Sequence, residues 1–196
     1  MAFPRRIDPG ALGPVALKQI ESQGLENFSL RGVAKALGVT PNALYRHAGS
    51  REGLLVVAAA EAARDLTSTL EQHCRGEGID QVLSLAKTYV DFAHRRPHAY
   101  RVFMEVKPDL DDQRVQPWRD LFRLVHTAIS AVLPHAADSA TFAFWALLHG
   151  RMELARGPAR AVSADVGLED AVRALMTGFD AIGPVASPLP PHLTAV

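Results

Sequence analysis

Cysteine is all but missing. With Cys74 alone, the chain cannot close a disulfide on itself, which suits a reducing compartment. Long apolar runs are missing too: no stretch of about 18 residues escapes interruption by polar ones, and the opening MAFPRRIDPG has no apolar segment of leader length. These absences predict a soluble, cytoplasmic protein without membrane association. Net charge is also lacking, since 21 basic residues meet 21 acidic ones, so a polyanion can be met only through local charge. Period-two runs rich in Val, Ile and Thr are absent, whereas apolar residues recur at spacings of three and four almost throughout. The expected fold class is all-α.

Breaks at Gly24, Gly38-Val39-Thr40, Gly49-Ser50, Gly76-Glu77-Gly78, Arg96-Pro97, 107–112, 134–138 and 157–167 leave about nine helices. The first, about Leu12 to Gln23, carries Leu12, Val15, Ala16 and Ile20 on one face and stops at Gly24. Pro14 predicts a start near Gly13 or a kink there, with Asp8-Pro9 capping an earlier half-turn as the alternative. A long helix from Ser50 to about His73 has Ser50 as its cap and Glu52 in its first turn. Its centre, VVAAAEAA, is apolar on most sides, as a connector packed on several faces would be. KPDLDDQ, 107–113, reads as a solvated acidic loop. PVASPLPPHLTAV, with four prolines, reads as a tail without regular structure. The resulting division is 1–55, 56–185 and a proline-rich tail, 186–196.

Charge is uneven within this plan. Up to residue 53 seven basic residues face four acidic ones, and that excess surrounds the stretch FSLRGVAKALGVTPNALYRHAGS, Phe28 to Ser50. Ser29 can cap a helix whose Leu30, Val33, Ala34 and Leu37 form one inward stripe, leaving Arg31 and Lys35 outside. Gly38 supplies the positive φ that ends it, Val39 plugs the turn, and Thr40 caps the next helix with Pro41 at its first position. A glycine turn between two short helices describes the helix-turn-helix, and equally an ordinary helical hairpin. A hairpin usually shows solvating Glu and Lys on its outer face. Here Thr40, Asn42, Tyr45, Arg46 and His47 can hydrogen-bond to bases or phosphates, and no acidic residue lies between Asn27 and Gly49.

LRGVAKALGVTPNALYRHAGSREGLL resembles the DNA-binding signature of the TetR family of transcriptional regulators. The likeness covers about 45 residues, from the first helix to Leu55, and rests on Ala34, Gly38-Val39, Leu44-Tyr45, His47 and Ser50-Arg51-Glu52. It implies a homodimer, most often a repressor, that binds a palindromic double-stranded DNA operator and is released by a small-molecule effector held in a divergent helical domain. By the same resemblance Thr40, Pro41 and Asn42 meet base edges, with Asn42 suited to an adenine. Tyr45 and His47 match phosphate-holding positions, Arg51 matches a basic residue at the amino end of the fourth helix, and Ser29 and Arg31 match a backbone contact at the amino end of the second. Arg46 is left between phosphate and solvent. Two residues depart from the pattern. Arg51 replaces the usual lysine and keeps its charge, whereas Ala48 replaces an aromatic, so the junction that follows is either looser or filled from elsewhere.

Beyond residue 78 the large side chains concentrate. Tyr89, Phe92, Phe103, Trp118 and Phe122, with His126, Trp145, His149 and Met152, are candidate lining for an effector cavity among the fifth to eighth helices, suited to a hydrophobic or aromatic compound. Core packing accounts for each of them equally well. FAFWALLHGRMELARG places Trp145, His149 and Met152 on one face and resembles a carboxyl-terminal subgroup of the family marked by a Trp-His-Gly pattern, here Trp145, His149 and Gly150. His149 either completes a hydrogen bond in the core or touches a ligand. The eighth and ninth helices, about Ser139 to Arg156 and Leu168 to Ile182, would by resemblance pair with a second copy; Leu168, Ala171, Val172, Leu175, Met176, Phe179 and Ile182 give the latter a suitable apolar stripe, part of which must pack within the subunit. His94 and His98 have ligand spacing, but Pro97 falls between them and no Cys or carboxylate completes a set, so neither metal nor cofactor is expected. A helical enzyme using His149 or His126 lacks a Ser-His-Asp order, paired carboxylates or a phosphate-cradling loop, which favours a protein without catalysis. A DNA-binding regulator with no effector remains the alternative, because packed and sensing bundles share a composition.

Overall fold

The computed structural model describes residues 8–106, 108–109, 112–157 and 163–184. Those residues form α1 (Pro9–Gln23), α2 (Leu30–Leu37), α3 (Pro41–Ala48), α4 (Arg51–His73), α5 (Gly78–Arg95), α6 (Pro97–Glu105), a one-turn 3-10 helix (Gln113–Val115), α7 (Gln116–Val132), α8 (Ala137–Arg156) and α9 (Leu168–Ile182). No strand occurs among them, and none of their helices is long and apolar enough to cross a membrane. The proline-rich tail expected over 186–196 lies outside the described residues.

The contacts divide the chain into two compact units. The first runs to Leu66 and takes in Arg95–Arg119; the second holds Thr67–His94 and the chain from Asp120. Residues of α4 and α7 therefore belong to both units. The buried alanines Ala58, Ala59, Ala60, Ala62 and Ala63 make α4 apolar around most of its circumference, as its sequence predicts for a helix packed on several sides.

In the first unit α1 begins earlier than a start near Gly13 would have it. Asp8 accepts the Gly10 N–H at 3.0 Å and Pro9 takes the first helical position, so the alternative start is the one adopted. Pro14 is accommodated inside the helix because it and Gly10 are both exposed, which leaves the carbonyl that Pro14 cannot serve open to water. Gly24 closes α1 with φ +79° and donates to the Ile20 carbonyl. Arg96 then ties three helices together: Nε donates to Glu21 on α1 and a terminal nitrogen to Asp65 on α4, both at 2.7 Å. Arg101 pairs with Glu26 and Glu105 in the same unit.

The acidic stretch after α6 departs from the solvated loop expected of it at its far end. Asp112 caps the 3-10 turn by accepting the Arg114 N–H at 2.8 Å, and its carboxylate also holds the Arg114 guanidinium. Gln113–Val115 is thus an ordered corner.

The second unit buries aromatic and polar groups together. Tyr89 on α5 is almost fully enclosed, and its hydroxyl lies 2.7 Å from His149 Nδ1 on α8. Trp145 stacks on the His149 ring at 5.4 Å and meets Tyr89 edge-on at 5.5 Å. Burial disfavours the imidazolium and pushes His149 down to about 4. The neutral ring and the Tyr89 hydroxyl thus share a hydrogen bond at Nδ1, the reading in which His149 completes a core hydrogen bond.

A pH dependence follows. Between about pH 6.5 and pH 4 the unfolded chain protonates His149 while the folded chain does not, so stability falls as pH falls, by about 2 kcal/mol between pH 7 and pH 5. Urea unfolding at those two values should record this loss in the wild type and a smaller one in His149→Asn. Equal losses in the two proteins would contradict the buried neutral histidine.

Candidate nucleic-acid interface

The helix-turn-helix assembles from local chemistry. Ser29 accepts the Gly32 N–H at 3.2 Å, Leu30, Val33 and Ala34 turn inward, and Gly38 ends α2 at φ +68°. Leu37, expected on the same stripe, is only half-buried. Thr40 then accepts the Ala43 N–H at 3.2 Å and Pro41 opens α3. Leu44 and Ala48 are the buried residues of α3. Pro41, Asn42, Tyr45, Arg46 and His47 are exposed, Tyr45 by 46%, so α3 displays the polar set that the sequence singles out. Arg31 and Lys35 are exposed on α2, giving the unit basic side chains and no acid between residues 28 and 48.

Arg51 behaves differently from its exposed neighbours. Its Nε donates to the Phe28 carbonyl and a terminal nitrogen to the Leu25 carbonyl, both at 3.3 Å, and the guanidinium lies 5.8 Å from the Phe28 ring centre. It is half-buried and braces the segment that precedes α2. The two bonds leave from two different nitrogens of the planar fork, a geometry that a lysine's single ammonium does not offer.

The junction after α3 depends on a residue that the sequence pattern did not mark. Gly49 turns the chain at φ +73°, Ser50 donates its N–H to the Ala48 carbonyl at 2.8 Å, and Ser50 Oγ accepts the Gly53 N–H at 3.0 Å. A Cβ on Gly53 would sit 1.9 Å from the Ala48 oxygen. Ala48 is 6% exposed, and its carbonyl lies against the first turn of α4. The one available signal was a glycine in the first turn of an otherwise strong helix.

The nine residues expected around an effector separate into small groups. Tyr89, Trp145 and His149 form the cluster described above, and Phe92 and Met152 are buried in the same unit. Phe122 stacks on His126 at 5.9 Å, and His126 bonds Asp138 at 2.9 Å. Phe103 and Trp118 stack at 6.2 Å in the first unit. A cleft of about 710 Å³ opens elsewhere in the second unit, between the carboxyl end of α4, the start of α5 and α7. Leu70, Leu85, Leu124 and Ala128 contribute apolar walls, while Glu71, Gln81, Asp120 and Arg123 are polar; none of the nine lines it.

Comparison with known proteins agrees with this geometry. Residues 15–58 match the model described as bacterial regulatory proteins, tetR family, and residues 82–179 match the tetracyclin repressor-like C-terminal domain. An uncharacterized HTH-type transcriptional regulator of Mycobacterium tuberculosis, Rv0681, is 25% identical, covering 92% of this chain and 85% of its own. BioQ, solved with its double-stranded DNA operator, shares 15% identity at a TM-score of 0.63 over 89% of this chain and 99% of its own. A TetR variant of Acinetobacter baumannii in complex with minocycline shares 18% at a TM-score of 0.63, over 91% and 99%. Identities so low establish a common fold and no more. The second model spans half of the 196 residues and the first lies over the helix-turn-helix, so this chain belongs to the TetR family of bacterial helix-turn-helix transcriptional regulators.

Proposed function

We propose that the protein is a homodimeric repressor that holds a palindromic operator through α3 and releases it when a small, largely apolar effector binds the second unit. The observation that carries the DNA part is the outward face of α3, with Pro41, Asn42, Tyr45, Arg46 and His47 exposed together and no acidic residue between 28 and 48. Thr40, Pro41 and Asn42, at its amino end, read base edges, and Asn42 can pair bidentately with an adenine. Tyr45 and His47 hold phosphates. Ser29 and Arg31 add a backbone contact at the amino end of α2, where free N–H groups favour an anion. Arg51, with its guanidinium given to loop carbonyls, contributes by fixing that loop.

Pairing rests on exposed apolar residues. Phe142 (58%) and Leu154 (66%) on α8 and Ile182 (70%) on α9 lie open in the single chain, which favours burial against a second copy. One short recognition helix gives little affinity, and two on adjacent half-sites multiply it. For the effector, the cleft between α4, α5 and α7 has the size of a small-molecule site. Effector binding weakens DNA binding only if the two favour different arrangements of the dimer.

Binding to duplexes selected from a random-sequence library tests these roles. Tyr45→Phe and Arg51→Ala should weaken all sequences alike, each by about 1 kcal/mol, whereas Asn42→Ala should relax preference at one base pair by about 1–3 kcal/mol. Uniform loss in Asn42→Ala would remove its assignment. Phe142→Glu with Leu154→Glu should shift sedimentation toward monomer and lower operator affinity about 100-fold. A double variant that stays dimeric would rule out this surface.

A further inference from the structure

We propose that Arg114, 61 residues along the chain from Gly53, is a positioning residue for the recognition helix, acting through the first turn of α4. Its NH1 donates to the Gly53 carbonyl at 3.1 Å. Within α4 that carbonyl already serves the helix, so Arg114 takes its second lone pair. The guanidinium arrives pre-oriented. Nε donates to both oxygens of Asp112, at 2.9 and 2.8 Å, a terminal nitrogen donates there as well, and the Arg114 N–H is held by the same carboxylate. Little rotamer freedom remains to be lost when NH1 reaches Gly53.

Gly53 is also the surface on which the carbonyl end of α3 rests, so close that a Cβ there would sit 1.9 Å from the Ala48 oxygen. Between those residues there is no slack: Ser50 donates to Ala48 and accepts from Gly53. A displacement of the first turn of α4 therefore passes to α3. Arg114 sets the position of that turn from outside the helix-turn-helix, in the same compact unit where Arg96 fixes α6 to α1 and α4. Losing the contact turns the exposed face of α3 without changing which side chains it carries. Affinity should fall at every sequence while base preference stays. This consequence rests on the DNA-binding reading above; the mechanical role of Arg114 does not.

Arg114→Met keeps the aliphatic length and removes the donors. In the full-length variant, hydrogen exchange at amides 49–54 should rise about tenfold while amides of α8 stay unchanged, because only a local brace is gone. Affinity for a duplex that the wild type selects from a random library should fall about tenfold, with the same base preference and a melting temperature within about 2 °C. Arg114→Lys, which can still donate to the Gly53 carbonyl, should recover most of that affinity. Unchanged exchange at 49–54 overturns the proposal, as does raised exchange with full affinity, or a loss of affinity matched by a general loss of stability. If the wild type selects no duplex, the DNA-binding reading fails, and the exchange measurement still decides whether Arg114 positions α3.

Discussion

The amino-terminal unit depends on one close contact, the Ala48 carbonyl lying against the Cα of Gly53. A backbone oxygen can approach that near only where no Cβ stands, and the approach sets the angle between α3 and α4. Leu44 and Ala48 face inward, Gly49 turns the chain with a positive φ, and Ser50 ties both sides of the turn. The exposed face of α3 is what remains once those demands are met. Side chains that read DNA need such fixity, because a hydrogen bond to a base edge tolerates little misplacement. Around the contact stand two arginines with a common habit: Arg51 and Arg114 both donate to backbone carbonyls, so each constrains main chain directly.

The second unit follows another logic. Its best-defined polar feature, Tyr89 with His149, is enclosed, mutually satisfied and neutral, and together with stacked Trp145 it behaves as core. Its open feature, the cleft beside α7, has apolar walls and mixed charge at the polar positions.

Much of this was legible in the sequence, for identifiable reasons. Ser29, Gly38, Thr40, Pro41 and Gly49 act within a turn or two of themselves, so the boundaries of α2 and α3 follow from local chemistry, and apolar spacing puts Leu44 inside and Tyr45 outside. The long-range partners were not legible. Nothing in residues 95–119 announces that they return to the first unit, or that Arg114 reaches Gly53. The partners of Arg51, the carbonyls of Leu25 and Phe28, carry no side-chain signature and could not be read from the sequence. The cleft beside α7 was not legible: Leu70, Leu85, Leu124 and Ala128 share the spacing of any helical core, and nothing local joins them to Glu71, Gln81, Asp120 and Arg123. At α1 the conflict between Pro14 and Asp8-Pro9 was decided by solvent, which serves the carbonyl that Pro14 strands.

If DNA binding depends on α3 being held against α4 by the Ala48–Gly53 contact, the most direct measurement is the operator affinity of Gly53→Ala beside its helical content. Alanine favours a helix interior over glycine by about 1 kcal/mol, so α4 itself gains and any loss must come from the contact. Helical content should stay unchanged and affinity fall at least about tenfold, because the added carbon forces the two backbones apart. Full affinity in Gly53→Ala would contradict that dependence.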